Sequence, residues 1–376
     1  MIDLLEIRKE IDAIDANIQQ LFEKRMELSR GVAEYKINND MQVFDKNREL
    51  EKLKVFRERA NNEFNAHGIQ ELFQQIMGMS RKFQYQMLNE HGKMEKLPFQ
   101  AVDALKKEGM KVVYQGVEGA YSHGATTAFF GQDIDSYHVE AWRDAMEDIK
   151  SGKADYAVLP IENSTAGSVY DNYDLLSQYD NQIVGEQIIK CEHVLMGVPG
   201  TKLADIKTVY SHPQALMQCR VFLDEHKDWK QMQYTNTAAA AKKVMEEGDK
   251  TQAAIASKYT ARYYGLEVLA DKVYTSENNS TRFIIVAKDK IFVKNAKKIS
   301  ICLELPHESG TLYNILSHFI YNNLNMTKIE SRPIEQRNWE YRFFIDFDGN
   351  LEDSAVQNAL GGIAQEASWM KIYGNY

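Results

Sequence analysis

The sequence predicts a chain of three domains from three fold classes: an all-helical domain, an α/β domain and a small α+β domain. Residues 1–97 contain no proline and few glycines, which is helical composition. From Lys111 onward, short β-rich segments alternate with helical ones, which indicates an α/β domain with mainly parallel strands. Near Lys298 the order changes to strand, helix, two strands, helix and a last strand, as in a ferredoxin-like sandwich. The predicted domains are residues 1–90, 111–292 and 298–376, with a linker at 91–110.

Composition excludes several classes of function. The net charge of −9 argues against a nucleic-acid binder, and no apolar run is long enough to span a bilayer. The three cysteines are far apart and lack the spacing of a metal site, which favours a reducing compartment, the cytoplasm. The loop at 116–119 is not a dinucleotide fingerprint, so we expect no nicotinamide cofactor and no other cofactor.

The first helix is predicted from about Ile2 to Ile37, because apolar residues recur at steps of three and four. Arg25 falls on this apolar stripe, where burial of an unpaired guanidinium is costly. A second helix is predicted to begin at Asp45 and a third after Gly68. The stripe of the first helix comprises Leu4, Ile7, Ile11, Ile14, Ile18, Leu21, Leu28 and Val32.

Further polar residues share the apolar seam of these helices. They are Arg8, Lys36, Arg48, Glu49, Ser80 and Gln84. One interpretation is that they fix the register of a helical bundle. The other is a binding pocket, and the excess of cations over acids favours a ligand with at least two carboxylates.

Helix geometry adds a prediction about assembly. Arg8 and Arg25 are 17 positions apart, which is about 25 Å along one helix at 1.5 Å per residue. No small dianion spans that distance. If both arginines bind one ligand, Arg8 must come from an antiparallel second chain, which predicts an interlocked homodimer with composite sites.

Residues 1–90 resemble the all-helical chorismate mutases, through "EIRKEIDAIDANIQQLFEKRMELSRGVAEYK" and "VFDKNRELEKL". The resemblance implies that cations hold the carboxylates and ether oxygen of chorismate, that two acids take its hydroxyl side, and that Gln84 lies near the ether oxygen. Arg25, Lys36 and Gln84 are then the catalytic residues. The implied ligand set is Arg8 from a second chain, Arg25, Lys36, Asp45, Arg48, Glu49, Ser80 and Gln84.

In the middle domain, loops rich in small polar residues follow the predicted strands, where open α/β sheets bind ligands. Turn chemistry explains any one of these loops equally well. Together, "PIENS", "SHPQAL" and "TRF" resemble prephenate dehydratase across about 111–292. This resemblance implies a two-lobed fold like that of periplasmic binding proteins, with Thr281 as the catalytic hydroxyl. The implied substrate-binding residues are Asn163, Ser164, Gln214, Thr281, Arg282 and Phe283.

The C-terminal segments "LELPHESGTLYNIL" and "MTKIESRPI" resemble an ACT domain, a regulatory module that binds amino acids, over residues 298–376. The resemblance implies a phenylalanine site where two such domains pair across a dimer. A pure packing role for this domain is the alternative. The implied phenylalanine-binding residues are Gly310, Leu312, Glu330, Ser331, Arg332 and Pro333.

The whole chain resembles the bifunctional P-proteins, which convert chorismate to prephenate and then to phenylpyruvate under feedback inhibition by phenylalanine. Two alternatives remain: a mutase fused to a prephenate dehydrogenase, which the missing dinucleotide fingerprint disfavours, and a mutase fused to a non-catalytic amino-acid-sensing module. The expected partners are chorismate, prephenate, phenylalanine and a second chain, with a tetramer as an alternative to the dimer. No metal, nucleic acid or membrane is expected.

Overall fold

The structure is a computed structural model that describes residues 3–334 and 337–376. Its packing divides the chain into two compact units. The first unit joins the chain up to Pro98 with Lys297–Ile372, and the second comprises Phe99–Ala296 and Tyr373–Tyr376. The predicted helical and C-terminal domains therefore share one unit. The predicted linker is divided between the two units, and part of it forms a short strand.

Three helices make up the N-terminal part of the first unit. They are α1 (Leu4–Asn38), α2 (Lys46–Glu58) and α3 (Glu63–Glu90). The predicted start of α2 is confirmed, because the Asp45 carboxylate caps the helix by accepting from the Arg48 amide. The predicted start of α3 is wrong. Asn62 caps that helix and Gly68 lies within it, since an isolated glycine in a long helix costs only about 1 kcal/mol.

Helix α1 leaves most of its apolar stripe exposed within one chain. Its buried residues are Ser29, Ala33 and Ile37, all in the last third of the helix. Ile14 and Leu21 of the stripe are 57% and 67% exposed. The rest of α1 thus presents a continuous apolar surface that α2 and α3 do not cover.

The C-terminal part of the first unit is a four-stranded sheet with two helices, in the predicted order of elements. Its strands lie in the order β15-β16-β14-β17. Helix α12 packs against α3 of the N-terminal part. The elements are β14 (Lys298–Glu304), α11 (Thr311–Tyr321), β15 (Met326–Pro333), β16 (Tyr341–Asp348), α12 (Ser354–Glu366) and β17 (Trp369–Asn375).

The second unit contains two larger sheets. The six-stranded sheet has the order β3-β2-β4-β12-β6, with a short β5 paired to β4. Its strands are β2 (Lys111–Gln115), β3 (Asp135–Val139), β4 (Tyr156–Asn163), β5 (Gly167–Ser168), β6 (Gln182–Lys190) and β12 (Ser280–Ala287). The helices of this lobe are α4 (Tyr121–Phe130), α5 (Trp142–Ser151) and α6 (Tyr170–Gln178).

The five-stranded sheet has the order β11-β7-β10-β8-β9. Its strands are β7 (His193–Gly197), β8 (Thr208–Ser211), β9 (Lys230–Gln233), β10 (Gln252–Ser257) and β11 (Glu267–Ala270). Its helices are α7 (Pro213–Gln218), α8 (Arg220–Asp224), α9 (Thr237–Glu247) and α10 (Lys258–Tyr264), with a 3-10 turn at Leu203–Asp205. A separate pair joins β1 (Gln100–Val102) to β13 (Ile291–Val293).

The two sheets are mixed, which corrects the prediction of mainly parallel strands. Strand β2 pairs in parallel with β3 and β4, but β12 is antiparallel to both of its neighbours, β4 and β6. The reason is topological. The chain leaves the first lobe along β6 and returns along β12, so these two strands run in opposite directions. Among the described residues, no helix combines the length and apolar character that crossing a membrane requires.

Candidate active sites

A pocket of about 330 Å³ lies among α1, α2 and α3, and is here named the helical pocket. Seven of the eight residues that the sequence predicts for this site line it, and Arg8 does not. Sequence reasoning missed two further cations of the pocket, Lys52 and Arg81. The predicted residues that line it are Arg25, Lys36, Asp45, Arg48, Glu49, Ser80 and Gln84.

The floor of the helical pocket is a short series of hydrogen bonds between α1 and α3. Ser80 Oγ donates to Ser29 Oγ over 2.8 Å, and Ser29 Oγ lies 3.0 Å from the carbonyl oxygen of Arg25. Gln84 Nε2 donates to the Ser80 carbonyl oxygen over 3.2 Å. These contacts explain why the sequence places small hydroxyl residues on an apolar seam.

Two buried polar atoms of the pocket have no hydrogen-bond partner within the described part of the chain. They are Arg25 Nη1 and Gln84 Oε1. An unsatisfied buried polar group costs about 1–3 kcal/mol, and more when it is charged. Because both atoms belong to residues that line the cavity, the pocket is built to be completed by a polar ligand.

The electrostatics of the pocket also favour an anion. Burial lowers the pKa of the Lys36 ammonium, although the carboxylates of Asp45 and Glu49 oppose that shift. Burial likewise lowers the pKa of Arg25, and Glu49 opposes it. Both groups therefore lack sufficient negative charge around them, which a bound carboxylate supplies.

A second site lies where β4 and β12 end in the second unit, and is here named the Thr281 site. Thr281 and Asn163 are directly opposed in the antiparallel pair. Asn163 Nδ2 donates to Thr281 Oγ1 and to Asn279 Oδ1, each over 2.9 Å. The structure thus brings together two of the predicted residues and adds Asn279, which is buried.

Hydrogen bonds to Asn163 Oδ1 fix the orientation of the Asn163 side-chain amide. Asn163 Oδ1 accepts from the backbone amides of Thr165 and Ala166 over 3.1 and 2.9 Å, and from Thr165 Oγ1 over 2.7 Å. Backbone amides can only donate, so the oxygen must face them. The Nδ2 group is consequently directed at Thr281.

A hydrogen-bond relay continues from Thr165 into the other lobe. Gln218 Nε2 donates to Thr165 Oγ1 over 3.1 Å, and Gln218 Oε1 lies 2.9 Å from His193 Nε2. His193 Nδ1 lies 3.0 Å from the Tyr121 hydroxyl. Burial lowers the pKa of His193, although its hydrogen bond to Gln218 opposes the shift, which favours a neutral ring that donates to Gln218 and accepts from Tyr121.

The relay contains Gln218 and not the predicted Gln214. Gln214 stands at the start of α7 and its side chain makes no hydrogen bond within the described residues, whereas Gln218 occupies the relay. Gln218 follows Gln214 by four positions and lies just beyond the "SHPQAL" motif. The choice between them depends on which end of α7 approaches Thr165, which no local pattern encodes.

The remaining predicted residues of this site take other places. Ser164 Oγ accepts from the Ser280 amide and lies 2.7 Å from the Asn278 carbonyl oxygen, so it joins the two loops. Arg282 points to the other face of β12, 3.6 Å from Glu162 and 3.5 Å from Glu186. Phe283 is buried in the core of the six-stranded sheet. These side chains support the site, and Phe283 has a packing position rather than a ligand-facing one.

Sequence reasoning also missed Cys191 at this site. Cys191 Sγ lies 3.1 Å from Thr281 Oγ1 and is buried. Burial raises the pKa of the Cys191 thiol, and its hydrogen bonding to Thr281 opposes that shift. The thiol therefore stays protonated at neutral pH and serves as a weak hydrogen-bond partner of the threonine.

The C-terminal part of the first unit carries a groove of about 360 Å³ between the turn before α11 and strand β16. Leu312 lines it, and Gly310 caps α11 with a φ of +81°, which favours glycine. The predicted residues 330–333 lie on β15, an edge strand of the sheet, and are not part of the groove lining within one chain. Glu330 and Arg332 are half-buried, while Ser331 and Pro333 face the other way and are exposed.

Among the described residues, no group of three or more histidine, cysteine, aspartate or glutamate side chains could hold a metal ion. The side chains that build the two sites are hydrogen-bond donors, acceptors and charged groups. Such groups bind and orient a substrate and stabilise charge that develops during a reaction.

Two family patterns match the chain. The chorismate mutase type II family matches residues 7–85, and the prephenate dehydratase family matches residues 112–291. The bifunctional chorismate mutase/prephenate dehydratase of Buchnera aphidicola subsp. Schizaphis graminum is 34% identical over 383 residues, covering 100% of this chain and 96% of that protein. The first match contains the helical pocket and the second contains the Thr281 site.

Solved structures resemble the chain over 71% of its length. A prephenate dehydratase from Arthrobacter aurescens in complex with L-Phe is 31% identical with a TM-score of 0.65, covering 89% of that chain. GqqA, described as a novel type of quorum quenching acylase, is 30% identical with a TM-score of 0.65, covering 97% of that chain. One fold can carry several reactions, so the residues of the site decide the chemistry.

The relay at the Thr281 site predicts different effects for two glutamine substitutions. Gln218→Leu removes the donor to Thr165 and the acceptor of His193, so we expect the rate of phenylpyruvate formation from saturating prephenate to fall about 10–100-fold. Gln214→Leu is the matched control and should stay within about two-fold of the parent rate. The reverse ranking, or equal losses, would place Gln214 back in the site.

Proposed function

Because the chain belongs to the family of bifunctional chorismate mutase/prephenate dehydratases, we propose that the helical pocket is its mutase site and the Thr281 site its dehydratase site. The chain rearranges chorismate to prephenate, and then removes carbon dioxide and water from prephenate to give phenylpyruvate, in the biosynthesis of phenylalanine. The observation that carries the assignment is the composition of the cavity, which is lined by five cationic side chains and two carboxylates.

The mutase reaction needs a folded conformer of the substrate and stabilisation of the charge that develops as the C–O bond breaks. Arg25, Lys36 and Arg48 line the pocket and hold the two carboxylates, and one of these supplies the acceptor that buried Arg25 Nη1 lacks among the described residues. Gln84 stands beside Ser80 at the floor, and its Nε2 is the end of the amide that can donate to the ether oxygen. Asp45 and Glu49 face the hydroxyl side.

The dehydratase reaction breaks a C–C bond to the leaving carboxylate and a C–O bond to the leaving hydroxyl. The electron pair from the first bond completes the aromatic ring, and the hydroxyl leaves with one added proton as water. Thr281 Oγ1 accepts from Asn163 Nδ2, so its own proton is available to that hydroxyl. The Asn163 relay holds the threonine in place, and aromatisation supplies much of the driving force.

The mutase site is completed by a second copy of the chain. Arg8 lies outside the helical pocket of its own chain, at the far end of α1. The exposed apolar stripe of α1 supports an antiparallel partner that covers it and delivers its own Arg8. The assembly is a homodimer through these helices, and the C-terminal domains pair in addition through their edge strands.

The C-terminal domain is an ACT domain that binds phenylalanine and inhibits the enzyme. The order of its strands and helices fits a ferredoxin-like sandwich, and the turn at Gly310 with Leu312 borders a groove of the right scale for an amino acid. The related dehydratase in complex with L-Phe adds support. A cytoplasmic location is consistent with the three cysteines, which are buried and form no disulfide among the described residues, as in a reducing compartment.

Separate substitutions should remove the two activities one at a time. We expect Arg25→Ala to abolish conversion of chorismate to prephenate while phenylpyruvate formation from added prephenate continues. Thr281→Val, which keeps the side-chain volume and removes the hydroxyl, should give the reverse result. Both reactions are followed with the purified full chain and no added cofactor. Prephenate that accumulates in the parent protein without phenylpyruvate would instead make the middle region a binding module.

Phenylalanine should inhibit the dehydratase more than the mutase, through a coupling free energy of typically about 1–3 kcal/mol. Gly310→Ala strains the turn before α11, since alanine disfavours a φ of +81°, and should remove most of this inhibition. Gly92→Ala is the control, because it introduces similar strain (φ +64°) after α3 without bordering the groove. Inhibition curves for both reactions decide the outcome. Equal inhibition of both reactions, or none at millimolar phenylalanine, would contradict the proposal.

A further inference from the structure

Arg81 lies between the helical pocket and the C-terminal part of the same compact unit. It follows Ser80 on α3 and is 7% exposed, although it is a cation. A buried guanidinium needs charged partners that also satisfy its fixed donors. The two partners of Arg81 come from two different parts of the sequence.

On one side Arg81 holds a residue of the pocket. Arg81 Nη1 donates to Glu49 Oε2 over 2.5 Å, and its guanidinium lies 4.8 Å from the centre of the Phe44 ring. Glu49 stands in the first turn of α2 and lines the helical pocket. Arg81 therefore fixes one carboxylate oxygen of a residue that lines the cavity.

On the other side Arg81 is held by the last residue of α12. Arg81 Nε donates to Glu366 Oε1 over 2.9 Å, and that oxygen lies 3.2 Å from Nε2 of His318 on α11. Burial opposes the charge of Glu366, but His318 and Arg81 together keep the pKa of this carboxyl below its ordinary value. Glu366 is thus a buried carboxylate, and a fixed anchor for the guanidinium.

We propose that Arg81 is a positioning residue of the mutase reaction, which orients Glu49 toward the hydroxyl side of chorismate and is itself held in place by Glu366. The inference rests on the proposed function of the helical pocket. It means that the geometry of the mutase site depends on two helices of the C-terminal part, α11 and α12.

A neighbouring residue offers a control with the same burial. Lys82 is also 7% exposed, and its Nζ lies 2.7 Å from Ser317 Oγ on α11. It therefore connects α3 to the C-terminal part as Arg81 does, but it does not line the helical pocket. A substitution at Lys82 therefore shows how mutase activity responds when the contact between α3 and α11 is weakened and the contact of Arg81 with Glu49 is kept.

The test measures mutase kcat and KM for the full chain with Arg81→Met, Lys82→Met, Glu366→Gln and Glu49→Gln. We expect Arg81→Met to raise the KM for chorismate about ten-fold with a smaller change in kcat, because Glu49 is then no longer held in the orientation that binds the substrate hydroxyl. Arg81→Lys should recover part of the loss and Glu366→Gln should reproduce part of it. Lys82→Met should stay within about two-fold. Prephenate turnover in each variant shows that the chain is folded.

A double substitution separates positioning from a merely structural role. If Arg81 acts through Glu49, then Arg81→Met adds little to the KM of a Glu49→Gln protein. Multiplied effects, or equal losses with Arg81→Met and Lys82→Met, would overturn the inference. An unchanged KM in Arg81→Met would overturn it too. In that case the activity of the parent chain on chorismate would still support the proposed function. Absence of mutase activity in the parent chain would refute the proposed function itself.

Discussion

The apolar stripe of α1 is the constraint on which the rest of the first unit depends. A 35-residue helix with its buried residues confined to one end cannot be stable in water as a free arm, because helices of this kind are stabilised by packing of an apolar face. In the proposed dimer, a second chain covers the stripe and also brings its Arg8 to the helical pocket. Burial of the helix and completion of the mutase site are then the same event.

In both sites, the polar side chains are oriented by hydrogen bonds or ion pairs to other protein groups. In the helical pocket, Ser29 and Ser80 position Gln84, and Arg81 holds Glu49. In the Thr281 site, backbone amides fix Asn163, which in turn fixes the threonine. Neither reaction needs a nucleophile from the protein, so orientation and stabilisation of charge are what the sites have to provide. Buried donors and acceptors deliver both, because their directions are set before substrate binds.

The sequence predicted what depends on local chemistry. The helix periodicity, the cap at Asp45 and the polar positions of the seam follow from spacing alone, and six of the seven polar seam residues line one pocket. It did not predict Gln218, Cys191 or Arg81, since each acquires its role from a segment distant in sequence. Mixed sheets were also missed, because alternating segments look the same whether the chain returns parallel or antiparallel. Local sequence pattern determines the secondary-structure elements, whereas the packing of these elements determines which side chains become partners in a site.

The measurement that most directly tests the composite mutase site is complementation between two defective chains. Arg8→Ala and Arg25→Ala proteins are each expected to lack mutase activity, and a purified heterodimer of the two carries both substitutions in one site and neither in the other. The heterodimer should therefore show about half of the parent mutase activity, since one of the two sites of a symmetric dimer is intact. A heterodimer as inactive as its parents would mean that Arg8 and Arg25 do not meet across two chains.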